Sequence, residues 1–149
     1  MRGGGFSFRE ATAADMAGIS HVRQSVIENP LSIEQLAARG ITNESVAASF
    51  LKDLKGWVAE SDGRIVGFSM AERAERTLWA LFVMPAYEGC GIGGQLYDLA
   101  IAWLRENGAH DLSLTTSAGT KAAAFYERRG WAATGVDEYG DVRYELRCE

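Results

Sequence analysis

Four glycines fall within six positions in Gly89-Cys90-Gly91-Ile92-Gly93-Gly94, shortly after the apolar run Leu78–Val83 and at the head of a helix-patterned stretch. Glycine lacks a Cβ and admits positive φ, so several N–H groups can turn toward one concavity. The helix beyond adds unpaired N–H groups and a partial positive charge of about half a unit. Strand, glycine loop and helix in that order predict a site for a phosphate or pyrophosphate. The alternative is a tight turn with no ligand.

The rest of the pattern predicts an α/β (α+β) domain with a mixed sheet. Phe6–Glu10 alternates as a short strand. Thr12-Ala13-Ala14-Asp15 reads as a capping box. It is followed by Met16, Ile19, Val22, Val26 and Ile27 at helical spacing, stopped by Asn29-Pro30. Two further helical stretches cover Ser32–Arg39 and, after the cap Thr42, the face Val46, Phe50, Leu51 and Leu54. The period then changes to two. Trp57–Glu60 and Ile65–Ala71 flank Asp62-Gly63 as a hairpin. Thr77–Val83 is apolar on both faces and reads as a central, buried strand. A helix with the stripe Ile92, Leu96, Leu99 and Trp103 ends near Asn107-Gly108. A strand at Leu112–Thr116, a helix from Thr120 to about Arg129 and a hairpin of Trp131–Val136 with Val142–Leu146 complete the order.

At 149 residues one domain is expected. With 47% apolar and 23% charged residues the chain has the composition of a globular fold and not of a disordered one. No apolar run is long enough to span a membrane. Met1-Arg2-Gly3-Gly4-Gly5 has no apolar segment behind it, so a cytoplasmic protein without a signal peptide is expected. The net charge of −5 argues against nucleic acid as a partner. Cys90 and Cys148 make neither a disulfide framework nor, with His21 and His110, a metal site.

Gly89-x-Gly91-x-x-Gly94 matches the dinucleotide fingerprint in form only. The strand that follows ends in Leu114-Thr115-Thr116 and not in an acid, and too few residues follow Gly94 for a doubly wound sheet. A nicotinamide-dependent oxidoreductase is therefore a weak rival. No Gly-x-x-x-x-Gly-Lys-Ser/Thr occurs.

Leu81-Phe82-Val83, Pro85 and Glu88-Gly89-Cys90-Gly91-Ile92-Gly93 together resemble the acetyl-CoA motif of the GNAT superfamily of N-acetyltransferases. In that family a strand ending Val-x-Pro precedes Gln/Arg-x-x-Gly-x-Gly/Ala. Ala122-x-x-Phe125-Tyr126-Glu127-x-x-Gly130-Trp131 is similar to the family's second motif, Asn-x-x-Ala-x-x-φ-Tyr-Glu-x-x-Gly-Phe, with φ an apolar residue. Glu88 stands where the family usually has Gln or Arg, and Gly119 where it usually has Asn.

The resemblance implies a mixed, mostly antiparallel sheet flanked by helices in a single domain, 1–149. It implies transfer of an acetyl group from acetyl-CoA directly to an amine. Leu81, Phe82 and Val83 would pair with the pantetheine arm, an N–H near Phe82 or Val83 holding the thioester oxygen. Glu88, Gly89, Cys90, Gly91, Ile92, Gly93, Gly94, Gly119 and Phe125 would complete the cofactor site, and Tyr126 would serve the departing sulfur. No metal is implied. For the amine's proton the resemblance offers Glu28, because the first helical loops line the acceptor side; Glu72 and Glu75 are alternatives. Lys121, Arg128 and Arg129 are candidates to neutralise the nucleotide. A small molecule or peptide amine is the implied partner, with a homodimer through the last hairpin also open. The competing reading is a non-catalytic acyl-CoA-binding or sensing domain.

Overall fold

The computed structural model describes residues 5–28 and 30–147, so the readings of Met1–Gly4, Asn29 and Cys148 lie outside the described residues. In chain order the elements are β1 (Phe6–Glu10), α1 (Met16–Ser25), α2 (Ile33–Ala38), α3 (Asn43–Ser49), β2 (Leu54–Ser61), β3 (Arg64–Glu72), β4 (Thr77–Val83), α4 (Ile92–Glu106), β5 (Asp111–Thr116), α5 (Lys121–Arg128), β6 (Ala132–Val136) and β7 (Val142–Arg147). The strands form one sheet in the order β1-β2-β3-β4-β5-β7-β6. Every pairing is antiparallel except β4 with β5. The mixed, mostly antiparallel sheet with flanking helices is the predicted fold.

Period-two alternation sends successive side chains to opposite faces, and each face has its own core. Trp57, Ala59, Leu78, Leu112 and Leu114 pack with Leu96, Ala100 and Leu104 of α4. Val58, Phe68 and Met70 pack with Ile19 and Val22 of α1 and Val46 of α3. Two glycines set how closely the helices approach. A Cβ on Gly18 would stand 2.8 Å from Ile65 Cδ1, and one on Gly67 3.1 Å from Leu96 Cδ1. Buried Ser69 donates to the Leu96 carbonyl at 3.0 Å, which ties α4 to β3 through a satisfied polar group. Asp62 and Gly63 both have positive φ, as a two-residue primed turn requires.

At the start of α1 the Thr12 N–H donates to the Asp15 carboxylate at 2.7 Å. Arg9 of β1 grips the same carboxylate through two nitrogens at 2.8 and 2.9 Å. The guanidinium holds the buried carboxyl below the ordinary carboxylate value, at about 2.

Three expectations need correction. The first helix ends at Ser25, not at Asn29: Ser25 Oγ donates back to the Val22 carbonyl and Val26 is extended, leaving Ile27 80% exposed. Leu51 and Leu54 are not on α3. It stops at Ser49, Leu51 is 88% exposed and Leu54 opens β2. β4 is central but not buried. Only Leu78 is fully covered and Trp79 is 40% exposed, because β4 meets β5 at the single pair Thr77–Ser113 and the two strands then diverge.

Candidate active site

The divergence of β4 from β5 opens a cleft of about 760 Å³. Its walls are the half-buried apolar strand β4, the tips of β5 at Thr115 and Thr116, the start of α4, one face of α5, and the segment after α1. A strand released from its neighbour keeps unpaired main-chain groups along that edge, ready for an extended ligand.

Below the end of β4 the chain turns into α4 through Gly89 and Gly91, with φ of 77° and 82°. A side chain is strained at such angles. Gly91 caps the helix in the left-handed conformation, and the first amide bonded in helical fashion is that of Gln95, to the Gly91 carbonyl. The amides of Ile92, Gly93 and Gly94 precede it, so they have no helical partner. A Cβ on Gly91 would meet nothing within 4 Å; one on Gly94 would stand 3.5 Å from the Arg129 guanidinium. Free amides, a helix N-terminus and a cation thus meet at one end of the cleft, a setting for an anion.

Phe125 and Tyr126 of α5 form the far wall. Tyr126 is the buried one, 5% exposed, whereas Phe125 is half-buried beneath the Arg129 guanidinium, 3.5 Å from its ring centre. The core contact of this helix is therefore made chiefly by Tyr126. Tyr126 sits among Tyr97, Phe125 and Trp131, and Trp131 Nε1 donates to Tyr97 Oη at 2.9 Å. Burial pushes the Tyr126 hydroxyl above its ordinary pKa, Tyr97 adds to this and Arg129 opposes it. Tyr126 still reaches the cleft, and its hydroxyl makes no hydrogen bond to a described residue.

Leu81, Phe82, Val83, Glu88, Gly89, Gly91, Ile92, Gly93, Gly94, Phe125, Tyr126 and Glu28 line this one cleft. Cys90 and Gly119 do not: Cys90 is exposed with its Sγ toward the Glu88 carbonyl, and Gly119 takes a φ of 73° just ahead of the α5 cap. Glu28 Oε1 accepts the backbone N–H of Lys121 at 2.9 Å, which anchors the segment after α1 to the start of α5. Glu72 and Glu75 lie at the β3–β4 turn, away from the cleft, where the Glu75 N–H donates to Glu72.

Lys121, Arg128 and Arg129 all border the cleft; Lys121 Nζ lies 3.4 Å from Glu88 Oε1. Sequence reasoning missed Trp79, Thr115 and Thr116. The apolar face of β4 held the signal for Trp79, but it reads the same in a buried strand. It also missed Arg23, which occupies a core position of α1 at 8% exposure. An arginine four residues after Ile19, inside an apolar stripe, was the signal.

A profile of the acetyltransferase (GNAT) family matches residues 28–131. A ribosomal protein bS18-alanine N-acetyltransferase of Haemophilus influenzae is 32% identical over 72 residues, 47% of this chain and 49% of that protein. The peptidyl-lysine N-acetyltransferase YjaB of Escherichia coli is 31% identical over 103 residues, 66% of this chain and 64% of that one. The chain thus spans about half to just under two thirds of these curated relatives. Among solved structures, the PaiA N-acetyltransferase of Thermoplasma acidophilum in complex with coenzyme A superposes with a TM-score of 0.80 at 18% identity, over 95% of this chain and 98% of that one.

Proposed function

Because the chain belongs to the acetyltransferase (GNAT) family, we propose that it transfers an acetyl group from acetyl-CoA to an amine by direct attack on the thioester. The observation that carries this reading is the parting of β4 from β5 after one pair, directly above the glycine-capped start of α4. An extended pantetheine arm fits the open edge of Leu81–Val83, and a pyrophosphate suits the amides at Gly89–Gly94. In the same reading 1–149 acts as one domain.

Each residue then has a distinct task. The Gly91–Gly94 amides and the helix terminus hold the pyrophosphate without a basic side chain in the loop. Arg129, beside Gly94, adds the charge that the loop lacks, and Lys121 and Arg128 supply the rim. Gly119 and Cys90 act through the backbone shape of their turns. A β4 amide near Phe82 or Val83 steadies the oxyanion that forms as the amine attacks, an effect of about 3–4 kcal/mol per donor.

Tyr126 donates a hydrogen bond to the sulfur as charge reaches it. Full transfer of its proton to a thiolate is uphill by about 2 kcal/mol at ordinary pKa values, and burial of this hydroxyl raises that cost. Its role is accordingly stabilisation of the thiolate, with the proton arriving from solvent. Glu28 retains one carboxylate oxygen, Oε2, without a described hydrogen bond, and that oxygen orients the incoming ammonium or takes its proton.

The test is release of free thiol from acetyl-CoA over a broad panel of amines. Amine-dependent thiol release with stoichiometric acetylated product is the expected result. CoA binding with no release on any amine would instead establish an acyl-CoA-binding domain.

A further inference from the structure

β4 carries one residue more than its pairing with β3 needs. Ala80 pairs with Met70 and Leu78 with Ala71, so Trp79 has no partner across the strands. Side-chain packing carries the same mark. Leu78 joins Leu81 and Val83 in the core beneath α4, whereas Ala80 and Phe82 pack on the α1 side. An unbroken alternation would send Leu78 and Ala80 to one face. A bulge re-aims a side chain, and this one leaves the Trp79 indole on the cleft wall. The indole is 40% exposed and makes no hydrogen bond or ring contact with a described residue.

Of the other large apolar side chains left exposed among the described residues, Ile27 alone borders the cleft. Thr115 and Thr116 come as soon after Ser113 as Trp79 and Ala80 come after Thr77, so this end of the cleft lies next to the one β4–β5 pair. At roughly 3.3 Å per residue, Trp79 stands about 13 Å from Val83 along β4, and the Gly91–Gly94 amides lie beyond Val83. The cations at the cleft, Lys121, Arg128 and Arg129, belong to α5 and its end. Beside Ile27 the charged group is Glu28, whose Oε2 has no described hydrogen bond. The end of the cleft away from the anion setting thus offers two uncovered apolar surfaces and a carboxylate.

We propose that Trp79 and Ile27 form the subsite for the body of the acetyl acceptor, and that the acceptor is a primary amine a few bonds from an aromatic ring. This rests on the acetyl-transfer reading for the word acceptor; the subsite itself is read by binding. A ring stacked on the indole covers apolar area that water otherwise wets. Its ammonium meets Glu28 beside Ile27. A polyamine would find no second carboxylate on this rim, and a short polar amine would leave Trp79 wet. Small aralkylamines and peptides that begin with an aromatic residue share this chemistry.

The test is calorimetric titration of the full chain with phenethylamine against ethylamine, and with phenylalanyl-glycyl-glycine against alanyl-glycyl-glycine, alongside thiol release from acetyl-CoA. Wild type should bind the aromatic member of at least one pair about 10- to 100-fold more tightly, and the pair that shows it tells the small amine from the peptide. Trp79→Ala should bring that ratio to about 3 or less, and Trp79→Phe should keep most of it, with CoA affinity unchanged in both. Ile27→Ser lies outside every helix and strand and should lower the ratio by at least about 2-fold without touching β4. A wild-type ratio near 1 overturns the proposal, as does a ratio that these substitutions leave intact. An equal loss of CoA affinity in Trp79→Ala assigns the residue to the shape of β4 and overturns it too. Tighter binding of 2-cyclohexylethylamine than of phenethylamine overturns the aromatic assignment. Selective binding without thiol release on any amine keeps the subsite and removes acetyl transfer. Thiol release at equal kcat/KM within both pairs does the reverse.

Discussion

The two long edges of β4 are built from the same seven residues and have opposite fates. Toward β3 the register runs from Gly67–Val83 to Glu72–Thr77, with α4 clamped by Ser69 on one face and α1 seated through Gly18 on the other. Toward β5 only Thr77 meets Ser113. The closed edge is where stability is made, and the open edge is where main-chain groups are left for a ligand. A strand need not be exposed by its composition to be functional; it suffices that its neighbour leaves.

The comparison predicts that substitutions separate by edge. The largest effect is expected at the glycine cap: Gly91→Asp adds a Cβ at φ 82° and a carboxylate where an anion should sit, so CoA affinity should fall more than about 100-fold with the fold retained. Unchanged affinity by calorimetry in a folded variant would remove the pyrophosphate from this loop. On the closed side, Leu104→Ala opens the fully buried α4 core and should cost about 2–5 kcal/mol in denaturant unfolding. Its CoA affinity should stay at the wild-type value; a parallel loss would mean the two edges are coupled.

Tyr126→Phe belongs to the open side. It should lower kcat about 10- to 1,000-fold with little change in CoA affinity, and a more acidic thiol as leaving group should recover part of the loss. A wild-type kcat under rate-limiting chemistry would assign Tyr126 to packing alone. The smallest effect is expected at Asp15, whose substitution touches neither edge of the cleft. Its carboxyl titrates near 2 when folded, below its ordinary value of 3.8, so its contribution is complete above that ordinary value and fades as pH falls through about 2. Asp15→Asn should cost about 1–2 kcal/mol at pH 7, and the difference from wild type should shrink in acid. A difference that is constant with pH would exclude the Arg9 pairing as its cause.

Much of this was legible in the chain. Asp62-Gly63, the caps Thr12, Thr42 and Thr120, and the change of period at Trp57 act locally, so the order of elements followed from neighbours in sequence. The glycine loop was legible because the positive φ at Gly89 and Gly91 favours glycine over residues with a Cβ. What escaped depends on distant partners. An apolar β4 looks alike whether β5 covers it or withdraws. Val26 and Ile27 continue the α1 pattern, yet Ser25 ends the helix and sends them to the cleft rim. Arg23 sat in the apolar stripe from the start, but its stacking over Phe82 in β4, with Nη1 unpartnered among the described residues, is set by a distant strand.

The lone Thr77–Ser113 bridge also bears on how the molecule assembles. The β2–β3–β4 meander closes through short turns, so its pairing costs little chain entropy, whereas β5 can be recruited only after the whole of α4 has been laid down. The meander with α4 should consolidate early, and β5, β7 and β6 should dock as a later unit. The cleft is then the boundary between two cooperative units and the last feature to form. Whatever fills it ties the late unit to the early one, so amide hydrogens of β5 and β7 should exchange more slowly once it is occupied, while those of β2 and β3 keep their rates.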